Sequence, residues 1–227
     1  MERYEFENII KYSFKRVSLL SQALTHTSYA NEKYHGPESH LASNQRLEFL
    51  GDSVLGVVVS TYLYNNFEKM PEGELSKLRA AIVCESSLNE FGKRIHLNEM
   101  LSLGVGEANT GGRDKPSIVA DAFESLIAAI YLDGGMDAAK EFILSQIKED
   151  IHRIAENYKA SDYKTNLQEL MSKKNIRPVY EIIGHEGPEH DRYYIAQVTC
   201  AGKNTFGKGR SKKEAEQEAA KEMLKDL

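Results

Sequence analysis

Residues 46–66 read RLEFLGDSVLGVVVSTYLYNN, a stretch in which apolar residues occupy most positions around a helix. Residues 117–132 read SIVADAFESLIAAIYL and have the same character. A helix that is apolar on all sides is normally enclosed by other elements of the protein. We therefore expect these two stretches to be the central helices of an all-α domain spanning residues 1–156.

Four acids lie inside these apolar helices. Glu48 and Asp52 are four residues apart in the first, and Asp121 and Glu124 are three apart in the second, so each pair projects from one side of its helix. An unpaired carboxylate removed from water costs several kcal/mol, which a divalent cation would offset. Because all the candidate ligands are hard oxygen donors, the pattern favours Mg²⁺ or Mn²⁺ and points toward phosphoryl chemistry.

A structural role for the same acids is the alternative. Glu48 and Asp52 could pair with Arg46 and Arg79 in an ion-pair network, while Asp121 caps a helix. From the residues alone both interpretations stay open. Glu72, at the start of the helix predicted after Pro71, has by itself the ordinary role of an acid that the helix dipole favours.

The sequence changes character after residues 157–161 (NYKAS), where the apolar periodicity lapses and a linker is expected. Residues 162–227 then show a helical stretch, three strand-like stretches and a terminal helix rich in strong helix formers. This order, α-β-β-β-α, predicts a small α+β domain.

Charge distinguishes the two parts of the chain. The net charge of −5 would by itself argue against a nucleic-acid partner, but residues 1–155 carry −6 and residues 156–227 carry +1. Within the second part, five basic residues fall in eleven positions, a local density that suits a polyanion. They are Lys203, Lys208, Arg210, Lys212 and Lys213.

Several classes of protein do not fit the composition. The first residues alternate charged and apolar side chains instead of forming the apolar block of a signal peptide, so we expect a cytoplasmic protein without a membrane partner. Cys84 and Cys200 lack the spacing of a zinc site and fit a reducing compartment. We expect no small-molecule cofactor.

A longer motif surrounds the first acid pair. Residues 44–52 (NQRLEFLGD) resemble the signature of the ribonuclease III family, and residues 23–28 (ALTHTS), 71–76 (PEGELS) and 120–127 (ADAFESLI) support the resemblance. The tail is similar to a double-stranded-RNA-binding domain, with residues 187–190 (GPEH) between two strands and residues 212–216 (KKEAE) opening the last helix. The resemblance covers essentially the whole chain.

The resemblance implies an endoribonuclease that hydrolyses double-stranded RNA with Mg²⁺, for which Mn²⁺ can substitute, and leaves 5′-phosphates and short 3′ overhangs. It also implies a homodimer and a role in processing rRNA and mRNA precursors. The site residues that it implies are the metal-site acids Glu48, Asp52, Asp121 and Glu124, the RNA-channel acid Glu72 and the dimer-contact residue Phe49. Gln45 departs from the pattern, because the family usually has an acid before the arginine of its signature.

The tail is expected to hold the duplex at separated points, since proteins read A-form RNA through minor-groove 2′-hydroxyls and phosphate spacing. Thr165, Gln168 and Glu169 on the first helix and His190 in the strand loop would face minor grooves. Lys212 and Lys213, at the start of the last helix, would contact the phosphates of the major groove that lies between these minor grooves.

Two functions of other classes compete with the nuclease. A non-catalytic regulator that binds double-stranded RNA would keep the fold but bind no metal, and Gln45 keeps this possibility open. An unrelated helical metalloprotein with an appended basic module would bind metal without cleaving RNA.

Overall fold

The computed structural model describes residues 1–34, 37–161, 163–188 and 192–227. The chain divides into two compact units, Met1–Ala155 and Glu156–Leu227. The first unit is helical and the second combines helices with one sheet, as predicted.

The first unit is built from short helices around two longer ones. Its helices are α1 (Arg3–Ile10), α2 (Val17–Ala23), α3 (Thr27–Lys33), α4 (Pro37–Ala42), α5 (Gln45–Asn66), α6 (Glu72–Ile82), α7 (Glu85–Arg94), α8 (Leu97–Met100), α9 (Val105–Asn109) and α10 (Pro116–Ser161), with a 3₁₀ turn at Gly112–Asp114. Helix α10 is interrupted at Gly135, whose φ of 83° and ψ of −177° are not helical. It continues to Ser161, so its backbone runs through residues 157–161, where we expected a linker; the domain boundaries drawn from the sequence stay predictions.

The two predicted central helices differ in how far the rest of the unit covers them. The first part of α10 is enclosed, and every side chain from Leu126 to Ile130 is fully buried. Helix α5 buries one face in the same core, including Val54, Leu55 and Val59. Its opposite face is exposed, so the expectation that α5 is enclosed on all sides was wrong. Among the described residues of the first unit, no element covers that face.

Helix α5 is also the one helix among the described residues that is long and apolar enough to cross a membrane. Core helices of globular units pass the same test. Because Leu47, Val58 and Leu63 are buried in the core of the first unit, α5 is better described as a core helix.

The second unit has the predicted α-β-β-β-α order. Helix α11 (Tyr163–Ser172) precedes strands β1 (Val179–Glu186), β2 (Tyr193–Cys200) and β3 (Lys203–Gly209), and α12 (Lys212–Asp226) follows them. The strands form an antiparallel sheet in the order β1-β2-β3, and one core joins the sheet to both helices. The Ser211 hydroxyl caps α12 by accepting the amide hydrogen of Glu214 at 3.1 Å.

Candidate metal centre

Helices α5 and α10 bring three carboxylates together. One oxygen from each of Glu48, Asp121 and Glu124 lies within 4.8 Å of the other two, and all three side chains are half-buried. Asp52, predicted to share the site, lies outside this group and is exposed. Its charge nevertheless acts on Glu124, since it helps to raise that residue's pKa.

Close packing of the two helices makes this convergence possible. A Cβ atom placed on Gly51 would lie 1.8 Å from the backbone oxygen of Glu124. Any other residue at position 51 would therefore push α5 away from α10. The glycine lies between Glu48 and Asp52, so the helices touch at the level of the acids.

Ionisation of these three acids is unfavourable where they lie, so their pKa values are raised. Burial, and then the charges of Asp52, Glu48 and Asp121, raise the pKa of Glu124 from its ordinary value of 4.5 to about 8. Burial and the Asp121 charge raise the pKa of Glu48. Burial also raises the pKa of Asp121, although His26 opposes this shift.

The ion-pair alternative for these acids finds no support. Among the described residues, no ion pair joins Arg46 or Arg79 to Glu48 or Asp52, and Arg79 instead donates a hydrogen bond to the Ser60 hydroxyl at 3.1 Å. Three converging oxygen donors with raised pKa values and no partner cation fit a hard divalent ion. The donor set therefore fits Mg²⁺ or Mn²⁺.

The other residues singled out in the first unit lie on α5 or at the start of α6. Gln45 is the first residue of α5 and is exposed. Phe49 is 79% exposed, so it does not pack in the core of this chain. Glu72 opens α6, accepts a hydrogen bond from the Ser76 hydroxyl at 2.8 Å and lines an open cavity of about 390 Å³.

The second unit presents most of its predicted RNA contacts to solvent. Thr165, Gln168 and Glu169 are exposed on α11, within about one turn of each other. Lys212 and Lys213 are exposed at the start of α12, where the helix dipole is positive. His190 lies outside the described residues.

Comparison with known proteins agrees with both units. The family model described as "Ribonuclease-III-like" matches residues 17–151, and the model described as "Double-stranded RNA binding motif" matches residues 163–227. A protein named Ribonuclease 3 from Caldanaerobacter subterraneus subsp. tengcongensis is 46% identical over 223 residues, which cover 97% of this chain and 96% of the relative. The chain belongs to the ribonuclease III family.

Further relatives of the family cover the same extent. A Ribonuclease 3 from Clostridium tetani is 44% identical over 229 residues, covering all of this chain and 95% of the relative. The crystal structure of the nuclease domain of ribonuclease III from Campylobacter jejuni matches with a TM-score of 0.59 and 42% identity, over 66% of this chain and 97% of that one. As a ribonuclease III family member with both domains, this chain is an endoribonuclease specific for double-stranded RNA. The family uses a divalent metal, and the acidic cluster is where the described residues could hold it.

Two residues near the centre of this ribonuclease III domain were not singled out from the sequence. His26 lies within the ALTHTS motif and its charge acts on Asp121, while burial lowers its own pKa. Ser125 follows Glu124 and is fully buried. A polar residue inside an apolar helix beside a site acid was the available signal for Ser125, but its hydrogen-bond partner could not be read from the sequence.

Proposed function

We propose that this chain cleaves double-stranded RNA with Mg²⁺ held by Glu48, Asp121 and Glu124, and that Asp52 completes the catalytic set. The observation that carries the proposal is the convergence of three carboxylate oxygens within 4.8 Å, on two helices in contact. Mn²⁺ offers the same charge and preference for oxygen and would substitute.

Each acid has a distinct part in this proposal. Glu48, Asp121 and Glu124 offer the ligand oxygens, and a proton leaves Glu124 when the cation binds, because metal ligands must be deprotonated. Asp52, exposed beside Glu124, adds negative charge at the open side and an oxygen that can hold a water molecule. When bound, Mg²⁺ supplies activation of water, orientation of the phosphodiester and compensation of charge on the leaving oxygen.

Cleavage of both strands calls for two such sites, so we propose that the enzyme is a homodimer. The exposed Phe49 side chain supports a contact there, because it shares the uncovered face of α5 with the exposed Val57 and Tyr64, and a contiguous exposed apolar patch is typical of an interface. One solved structure of the Campylobacter jejuni nuclease domain is described as having structural flexibility in a region involved in dimer formation. Each site would cut one strand and leave a 5′-phosphate and a short 3′ overhang.

The second unit would hold the duplex. Thr165, Gln168 and Glu169 present hydroxyl, amide and carboxylate groups for 2′-hydroxyls, and Lys212 and Lys213 present two charges to phosphates. His190 belongs to this proposal by sequence alone. In the first unit, Gln45 and Glu72 are proposed to line the path of the RNA, and a neutral Gln45 would alter substrate preference more than the chemical step. We further propose that the enzyme processes rRNA and mRNA precursors in the cytoplasm, where free cysteines such as Cys84 and Cys200 stay reduced.

The test uses purified full-length protein, a long RNA duplex and Mg²⁺. Glu124→Gln should abolish cleavage while it keeps duplex affinity, since the variant loses a ligand charge but keeps both folded units. Glu141→Gln, a matched change at an exposed position in the second half of α10, should cleave at the wild-type rate.

Two other outcomes would count against the proposal. Duplex binding without cleavage by the wild-type protein would indicate a non-catalytic regulator. Binding of Mn²⁺ without either binding or cleavage of RNA would contradict the proposal, because the metal centre would then not act on RNA.

A further inference from the structure

A buried hydrogen bond ties the start of α5 to α10. The Ser125 hydroxyl donates to the backbone oxygen of Asn44 at 3.1 Å, across 81 residues of sequence. Ser125 is 0% exposed and Asn44 is 2% exposed. Because both groups are shielded from solvent, the hydrogen bond restrains the position of α5 along the axis of α10.

The two ends of this bond are adjacent to the site acids. Ser125 directly follows Glu124, and the Asn44 oxygen also accepts the amide hydrogen of Glu48 at 2.9 Å. The Asn44 carbonyl oxygen thus connects the backbone of Glu48 to Ser125, the residue next to Glu124. The backbone N–H of Asn44 donates to the backbone oxygen of Thr25 at 2.9 Å, and this second bond also fixes the position of the start of α5.

The Gly51 contact alone does not fix where α5 lies along the axis of α10. A glycine facing a carbonyl sets how near α5 comes to α10, but the helices could still slide along each other. One residue of sliding is about 1.5 Å, whereas metal–ligand distances tolerate only about 0.2 Å. The hydrogen bond from Ser125 to Asn44, about two turns before Gly51 on the α5 side, adds the missing directional contact.

We propose that Ser125 is a positioning residue for the metal centre, acting through its hydrogen bond to the Asn44 carbonyl. Resting on the proposed function, the inference makes Ser125 responsible for the approach of the Glu48 carboxylate to that of Glu124. When ionised, the half-buried acids repel each other, and this tether opposes their separation. Loss of the hydroxyl leaves the Asn44 oxygen with its two helical amide partners, so the fold survives the change.

The experiment measures Mn²⁺ affinity of the full-length protein without RNA, from the electron paramagnetic resonance signal of free Mn²⁺. Ser125→Ala should bind Mn²⁺ about tenfold more weakly than wild type, the loss typical when a residue supporting a metal ligand is removed. Ser125→Cys should lie between the two, because a thiol is a weaker donor. Ser125→Cys also serves as the variant to read if Ser125→Ala fails to fold.

A matched control separates positioning from general stability. Ser145 lies on the same long helix and donates its hydroxyl to the Phe142 carbonyl at 2.7 Å, a bond within one turn. Ser145→Ala removes the same hydroxyl group from the same helix and should leave Mn²⁺ affinity unchanged, while thermal unfolding of both variants without metal measures any change in stability. Equal Mn²⁺ affinity for wild type and Ser125→Ala would overturn the inference.

Glu124→Gln in the same assay separates this inference from the proposed function. If wild type binds Mn²⁺ and Glu124→Gln does not, the metal centre stands, and the Ser125 variants then decide the inference alone. Failure of wild type to bind Mn²⁺ would overturn both.

Discussion

Glu124 and Asp133 lie on the same helical stretch, yet their surroundings treat the carboxylate in opposite ways. The Asp133 side chain is buried, which by itself would raise its pKa, but backbone hydrogen bonds from Lys15 and Arg16 and the Tyr12 hydroxyl lower that pKa below the ordinary value. Within the described part of the chain, no hydrogen bond or ion pair reaches the Glu124 carboxylate. Asp133 is therefore a structural acid, whereas the lack of such partners around Glu124 supports its proposed role as a metal ligand.

This difference predicts an unusual pH dependence of stability without divalent metal. A folded-state pKa near 8, against 4.5 in the unfolded chain, means that the folded protein loses stability as pH rises between these values. Glu124→Gln escapes this loss. At pH 8.5 with EDTA, we expect its free energy of unfolding by urea to exceed that of wild type by about 2 kcal/mol, after allowance for solvent screening of a half-buried group.

At pH 4.5 the gain in stability should largely disappear, because the wild-type carboxyl is then protonated in the folded protein as well. Equal unfolding free energies for the two proteins at both pH values would contradict this account of Glu124. Added Mn²⁺ should reverse the order at pH 8.5 by stabilising only the wild type.

At the scale of elements, the site depends on the contact between α5 and α10. Helix α5 has two faces of different use: one packs in the core, and the other exposes Phe49, Val57 and Tyr64, which are 79%, 56% and 73% exposed. Gly51 belongs to the packed face, where the Glu124 backbone leaves no room for a side chain. Gly56 lies further along α5 with open space around it.

The two glycines give a matched pair of substitutions. Gly51→Ala should destabilise the first unit by about 3 kcal/mol or more, since backbone must shift to admit the methyl group. Gly56→Ala should be neutral or stabilise by up to about 1 kcal/mol, because alanine favours the helix. Chemical unfolding of both variants checks this, and a Gly51→Ala protein as stable as wild type would show that the helices are not in contact at this residue.

At the scale of the whole molecule, the exposed face of α5 predicts that two copies of the chain associate through Phe49. Phe49→Asp should shift the protein from dimer to monomer in sedimentation velocity, because a charge replaces the apolar contact that we propose between two copies. Tyr4→Asp, an equivalent change at another exposed aromatic residue, is the control and should not change the sedimentation coefficient. A wild-type protein that sediments as a monomer would remove the proposed role of Phe49.

The two units of the chain also differ in charge, which predicts how affinity depends on salt. Deleting residues 162–227 should weaken duplex binding at physiological salt but leave cleavage detectable at low salt, since the acidic first unit keeps the proposed catalytic residues. Within the full chain, Lys212→Ala with Lys213→Ala should lower the slope of log affinity against log salt by about 2, one for each phosphate contact. Binding titrations across a salt series measure both. An unchanged slope in the double variant would remove Lys212 and Lys213 from the proposed phosphate contacts, and unchanged affinity after the deletion would remove the second unit from duplex binding.

The sequence by itself determined the helical class of the first unit, the α-β-β-β-α order of the second and the placement of each acid pair on one side of its helix. These features follow from periodicity, which is local. Only the tertiary structure decided that Glu48, Asp121 and Glu124 converge while Asp52 lies outside, that α5 leaves Phe49 in solvent, and that Ser125 reaches Asn44. Such distances join residues some eighty positions apart and depend on how two helices pack, and the pKa of Glu124 depends on the burial that this packing creates.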